Sequence, residues 1–437
     1  MDISQNDNTT NVGEPEIAVN PRNPNQLYID GATFSTPNPF VPPSVPDTCQ
    51  GWASDNGGLT WQSAPLPPGI CDEDGVAVFG RDGTLYAGGD TATSTTIVPC
   101  GTPGAIQFGN VCILVQGQDP VLTSRDDGHT WSAPVYTMGS TNLTPNGAPF
   151  PFVPGSGNPL NTFDRPWLAM DQSTNTLYAA SHNIADHEPF VTASTDEAKS
   201  FGPIYAADSG TFPSNSSIGG TGSGVIAAAN GVLAVAYDAV PAPGGCTTTC
   251  VIFETSTDHG ATFTRHVVPL VGAASLPPVH VAADPIRRGQ FALTVPDATG
   301  TENQVYTTDD FGQTWQGPTN VGEAPPNQRF KPWLSYGPSG NLLLVWRTSE
   351  GNPATAPYEV WAAVGREQGA GGAVFSVPLR VSSVAAAPPA TNGDSGDCCS
   401  WIVADNKYVH IGWGDDRNGT NQIWYGRIPL ANFTPGP

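Results

Sequence analysis

The sequence predicts an all-β protein: a seven-bladed β-propeller of four-stranded antiparallel blades, built as one domain over residues 1–437. Three observations predict it. The 437 residues include 50 Gly and 44 Pro but only 13% charged residues, so turns are frequent and long amphipathic helices are disfavoured. An octapeptide of the form S/T-x-D-x-G-x-T-aromatic recurs at 54–61, 124–131, 194–201, 256–263 and 308–315. A strand–turn–strand unit recurs seven times, beginning near residues 14, 73, 164, 222, 277, 330 and 398. The copies lie roughly 64 residues apart on average, and a period of that length marks repeated sheets stacked about an axis.

The elements follow in order. Each unit supplies four strands; in the second they are expected near 75–80, 84–90, 120–124 and 130–137. The widest gap, between the second and third units, places insertions at about 93–118 and 138–163. One four-stranded sheet cannot bury both faces, whereas sheets arranged radially bury them against their neighbours and leave only short edges. A run of separate β-sandwiches would need linkers, and none is visible. The seventh unit reaches only "NQIWYGRI" before the chain ends, so its outer strand is missing. "DISQ" at 2–5 resembles "LRVSS" at 379–383, the outer strand of the sixth unit. Residues 2–5 are therefore expected to complete the seventh blade.

Charge and cysteines narrow the function. The formal charge is −23 with only 16 Lys and Arg, which argues against nucleic acid and anionic membranes as partners. No apolar run is long enough to insert in a bilayer, and "MDISQNDNTT" has no leader character. Eight cysteines fall into proximal pairs: Cys49 and Cys71, Cys100 and Cys112, Cys246 and Cys250, Cys398 and Cys399. That pattern reads as disulfides and a secreted, extracellular protein, with buried free thiols the alternative. Sequons at Asn8, Asn142, Asn215, Asn418 and Asn432 add little in a chain this rich in Asn, Ser and Thr. A monomer is expected.

The octapeptide, as in "SRDDGHTW", resembles the Asp box, the BNR repeat of the sialidase (neuraminidase) superfamily of β-propellers. Ser and Asp side chains can bond the turn's own amides, Gly supplies left-handed backbone and the aromatic ring packs. The resemblance implies that each box joins third and fourth strands on the face away from the ligand, so Asp126, Asp258 and Asp310 are structural. It also implies a carbohydrate substrate or glycan, bound through arginines and cut with a Tyr–Glu pair and an Asp. "DRPW" places Arg165, and "FKPW" Lys331, where the family's first arginine stands, although neither is the family's R-I-P. Tyr237 beside Asp238 is the nearest match to the Tyr–Glu pair.

In a propeller the ligand face collects the loops before each inner strand and those after each second strand. The first set holds Glu14, Glu16, Asp72, Glu73, Asp74, Asp164, Arg165, His280, Arg329, Lys331, Asp394 and Asp397. The second holds Asp90, His182, Asp238, Asp297, Arg347, Asp415, Asp416 and Arg417. The expected catalytic set is Asp72, Glu73, Asp74, Tyr237 and Asp238. The expected substrate-binding set is Arg165, Lys331, Arg347, Arg417, His182 and His280. The "CDEDG" cluster leaves room for Ca²⁺ but fixes no metal site, and no cofactor is required. Blander readings stand beside these: blade-end salt bridges for Arg165 and Arg417, a solvated turn for "CDEDG", surface positions for His182 and His187. Trp167 and Trp333 are expected to pack between blades, with a sugar platform as the alternative. The leading function is a sialidase-like exo-glycosidase on an acidic or terminal sugar. A non-catalytic glycan- or protein-binding propeller is the first alternative. A polysaccharide lyase using His182, His280 or Tyr237 is the second.

Overall fold

A computed structural model describes residues 1–4, 11–34, 49–71, 73–100, 106–108, 111–138, 163–183, 188–214, 225–271, 280–323, 327–353, 355–369, 372–387 and 400–434. Asp72, Asp394, Asp397, Cys398, Cys399 and His187 lie outside them, as does the inserted segment 139–162. Seven antiparallel sheets form, each running outward from an inner strand, in chain order except that in the second Ile106–Phe108 lies beyond Val111–Ser124. The inner strands are Asn11–Val19, Glu73–Phe79, Phe163–Asp171, Val225–Ala229, His280–Ala283, Gln328–Tyr336 and Ser400–Ala404. Each packs against the next, and the seventh against the first, so the sheets close into a seven-bladed β-propeller.

The blades are held by apolar wedges between adjacent sheets. Alternation sends one set of side chains to each neighbour, as the strand period requires. In the fourth blade Leu233, Val235 and Tyr237 pack with Tyr178, Ala180 and Val191 of the third. The intervening Ala234 and Ala236 pack with Val281, Phe291 and Leu293 of the fifth.

The recurring octapeptide closes the turn between third and fourth strands wherever it occurs. In the second blade Ser124 Oγ donates to Asp126 Oδ1 at 2.8 Å and accepts from the Gly128 amide at 2.8 Å. The Thr130 amide donates to Asp126 Oδ1 at 2.8 Å. The same set forms around Asp196, Asp258 and Asp310. Gly128 has φ of +89°, and a Cβ there would lie 2.9 Å from a Tyr28 ring atom. The third copy's Ala198 takes the same left-handed turn with φ of +58°.

Three sequence expectations take more definite form. Where an insertion was expected at 93–118, the second and third strands of the second blade run on as Leu85–Val98 and Val111–Ser124, with Ile106–Phe108 beside them. The second blade's outer strand is Val135–Met138. Among the described residues the seventh blade is a three-stranded sheet, and closure by a full N-terminal strand is not shown. The N-terminal residues instead make an isolated bridge, Asp2 to Trp424, and the Ile3 amide donates to the Ile423 carbonyl at 3.0 Å. Three of the expected disulfides form: Cys49–Cys71, Cys100–Cys112 and Cys246–Cys250.

Candidate functional site

Four inner strands carry the same irregularity near their starts. The ladder shifts register between Gly13 and Glu16, Glu73 and Val76, Asp164 and Trp167, and Phe330 and Trp333. Each bulge holds one charged residue in left-handed backbone: Glu14 (φ 53°), Asp74 (φ 49°), Arg165 (φ 57°) and Lys331 (φ 50°). Each is followed by Pro or Gly (Pro15, Gly75, Pro166, Pro332), and a Pro at a bulge forfeits no ladder bond. A bulge re-aims the side chain it carries. Three of these four meet. Arg165 Nη1 donates to Asp74 Oδ1 at 3.2 Å and to Glu14 Oε1 at 3.4 Å. All three are largely buried, the Arg165 side chain at 17% exposure.

The trio lines a cleft with Glu16, Val76, Trp167 and Trp401. Its aromatic wall belongs to a cluster that fills the propeller axis. Trp333 and Trp401 lie with ring centres 3.7 Å apart, Trp167 stacks on Trp401 at 6.1 Å, and His280 meets Trp333 at 3.8 Å. Trp333 is buried in the wedge between blades six and seven, as expected from sequence, and Trp167 reaches across from the third blade to pack against both Trp333 and Trp401. Beneath them a separate chamber is lined by Met170, Ile226, Ala228, Ala283 and Tyr336.

Glu16, on the cleft lining, and Asp30, behind it, are cross-strand neighbours in the first blade. Both are buried, and the Glu16 amide donates to Asp30 Oδ1 at 3.2 Å. Burial, reinforced by the Asp30 charge, pushes the Glu16 carboxyl well above its ordinary value. Burial does the same for Asp30. Three carboxyls and one guanidinium therefore border a small aromatic-walled cleft, in two electrostatic settings. Glu14 and Asp74 are paired with a cation, while Glu16 is desolvated beside another acid.

The remaining expected site residues lie elsewhere. The Asp238 carboxyl is buried, which pushes it up to about 7, and it faces the wedge toward the fifth blade. Tyr237 is buried toward the third blade, and its hydroxyl donates to the Phe212 carbonyl at 3.1 Å. Arg347 is buried, its Nε donates to Ser400 Oγ at 3.1 Å and it lies over the Tyr358 ring. Arg417 is bound to Asp415 and stacks on Trp424 at 3.9 Å, which is the local salt bridge weighed from sequence. His182 is fully buried, not a surface residue. Burial lowers His280 to about 3, so it is neutral at any ordinary pH. For Glu73 and Asp164 only the backbone is described. Among the described residues no group of three or more His, Cys, Asp or Glu is arranged to hold a metal ion.

Sequence reasoning missed Asp30 and Trp401. Asp30 interrupts the apolar run "LYIDGATF", and an acid in mid-strand was the available signal. Trp401 occupies the column of Trp167 and Trp333 when "CSWIVA" is aligned with "RPWLAM" and "KPWLSY".

No protein-family model matches the sequence, and no curated protein does. Solved structures share the architecture. A protein of unknown function from Dyadobacter fermentans DSM 18053 has a TM-score of 0.51 at 14% identity, over 97% of this chain and 95% of that one. The Hadza microbial sialidase Hz136 has a TM-score of 0.48 at 15% identity, over 90% of this chain and 75% of that one. A Fusarium graminearum GH93 α-L-arabinofuranosidase in complex with arabinobiose has a TM-score of 0.48 at 12% identity, over 99% and 98% of the two chains. At such identities the first of these shows the fold alone.

Proposed function

We propose that the protein is a glycoside-cleaving enzyme acting on a terminal, uncharged sugar in the cleft bordered by Glu14, Asp74 and Arg165. One observation carries the reading. Carboxyls in opposed electrostatic settings, Asp74 paired with Arg165 and Glu16 desolvated behind it, share one cleft whose wall is tryptophan. Glycoside hydrolysis needs such a division: a carboxylate that activates water or attacks, and an acid that protonates the departing oxygen. Indole faces suit the apolar face of a sugar ring.

The charge balance argues for a neutral sugar. Two carboxylates flank the one guanidinium, so an incoming anion meets net negative potential. The expected three-arginine grip on a substrate carboxylate gains no support from Arg347, engaged between blades six and seven, or from Arg417, engaged by Asp415 and Trp424 of the seventh blade. The lyase alternative loses support as well, since Tyr237 is committed to a carbonyl and His280 is held neutral among tryptophans.

The test is a screen on chromogenic α- and β-glycosides, neutral sugars against sialosides and uronides. Hydrolysis of a neutral glycoside, with kcat reduced ~10²-fold or more in Asp74→Asn, is expected. Activity confined to sialosides, or untouched by both Asp74→Asn and Arg165→Ala, overturns the assignment. Silence of the folded protein on every substrate favours a glycan-binding role.

A further inference from the structure

The wedge between blades one and two contains two carboxyls, Glu16 and Asp30, for which no ion pair is formed among the described residues. Glu16 and Asp30 stand opposite each other in the ladder, so their side chains lie on the same face of the sheet, toward blade two. Their exposures are 3% and 0%. Glu16 Oε2 and Asp30 Oδ2 are buried, without a hydrogen-bond partner among the described residues. Blade two yields space for them: a Cβ on Gly75 would lie 3.1 Å from Asp30 Cγ. It also supplies the Ala77 amide to the Glu16 carboxylate. The Tyr28 phenol is the other titratable group beside Asp30; burial, reinforced by the Asp30 charge, pushes it well above its ordinary value. Glu14, Asp74 and Arg165 stand at the cleft rim, and Asp90 is opposite Glu73 on blade two's second strand.

Two ionised carboxylates facing each other in a dry wedge repel, and like charges directly opposite on a ladder are unfavourable. One proton removes the repulsion and supplies a donor to an otherwise unpartnered oxygen. We propose that Glu16 and Asp30 hold a single proton between them, and that Glu16, the member lining the cleft, delivers it to a bound substrate. The delivery half rests on the glycoside-cleaving reading. In that step the bond from the anomeric carbon to the leaving oxygen breaks with its electron pair going to that oxygen, which takes the proton from Glu16. Water supplies the hydroxyl to the anomeric carbon and yields its other proton to Asp74. Solvent then takes the proton from Asp74 and returns one to the pair, which resets both. Asp30 touches no substrate; it is a positioning residue that keeps the proton on Glu16.

The test reads the proton directly, by carbon-13 NMR of the full chain labelled at Glu and Asp carboxyl carbons. A Glu resonance still in its acid form at pH 7 is expected in the wild type, absent from Glu16→Gln and titrating about one pH unit or more lower in Asp30→Asn. The double variant Glu16→Gln/Asp30→Asn keeps the site hydrogen-bonded without charge and guards against loss of fold in either single one. On a glycoside that the wild type cleaves, Asp30→Asn shifts the alkaline limb of kcat/KM to lower pH by the same amount. A resonance that survives Glu16→Gln, or a limb unmoved in Asp30→Asn, overturns the proposal. A retained proton in a wild type that cleaves no glycoside upholds the shared proton and overturns the enzymatic reading with its delivery step.

Discussion

Arg165 is the residue on which the cleft rim depends, because its guanidinium alone separates Glu14 from Asp74 among the pairs described. Arg165→Ala leaves two carboxylates facing each other. About 1–3 kcal/mol of stability should be lost, less than for a fully buried pair because the side chain keeps some solvent contact. Urea denaturation should show the loss, and Glu14→Gln should restore part of it. Asp238 makes a prediction with the opposite sense. Its carboxyl is raised to about 7 in the fold against an ordinary value of 3.8. The native state therefore keeps a proton that the unfolded chain releases. This stability is present below pH 3.8 and is lost as pH rises toward 7. Asp238→Asn should thus gain stability over the wild type as pH climbs from 4 to 7, by a few kcal/mol at the plateau, with no such gain at pH 3. His280 runs the other way: lowered to about 3, it contributes stability above pH 6.5 that is lost as pH falls toward 3. His280→Phe should flatten that acid limb in a melting series. Arg165 was legible in the sequence because "DRPW" repeats as "FKPW" at a fixed place in the blade. The partner that makes Glu16 unusual was not, because nothing local to "LYIDGATF" says which strand will face Asp30.

At the scale of the element, the two recurrent features separate cleanly by face. The Asp-containing turns bond mainly to themselves, and Thr130 holds the Asp126 carboxyl below its ordinary range through its hydroxyl. Asp126→Ala should cost about 1–2 kcal/mol from lost turn hydrogen bonds and leave any cleft activity unchanged. Paired measurement with Asp74→Asn, where activity rather than stability should fall, distinguishes scaffold from site. The turns could be read from sequence because their chemistry is contained in eight consecutive residues. The bulges could not, since a left-handed Glu, Asp, Arg or Lys leaves no mark on composition and emerges only when register is known. The long hairpin at 93–118 could be read only as an insertion for a related reason: a repeat period says nothing about how far a strand continues past it.

At the scale of the molecule, the blade count was legible because seven similar units admit few other closed arrangements. The pairing of the N-terminal residues was only partly so, because four residues carry too little pattern to separate a strand from a bridge. The disulfide Cys49–Cys71 ties the first blade's third strand to the segment leading into the second. Replacing both cysteines by Ser should cost about 3 kcal/mol, the entropy of a loop spanning 22 residues. Unfolding monitored with and without reductant should show it. The tryptophans at the hub have a larger consequence. Trp167 and Trp401 wall the cleft and Trp333 packs against both, so on the proposed reading a bound sugar meets a closed aromatic end. A polymer can offer such a recess only its tip, so on the proposed reading oligosaccharides should shorten one unit at a time, without mid-chain cuts.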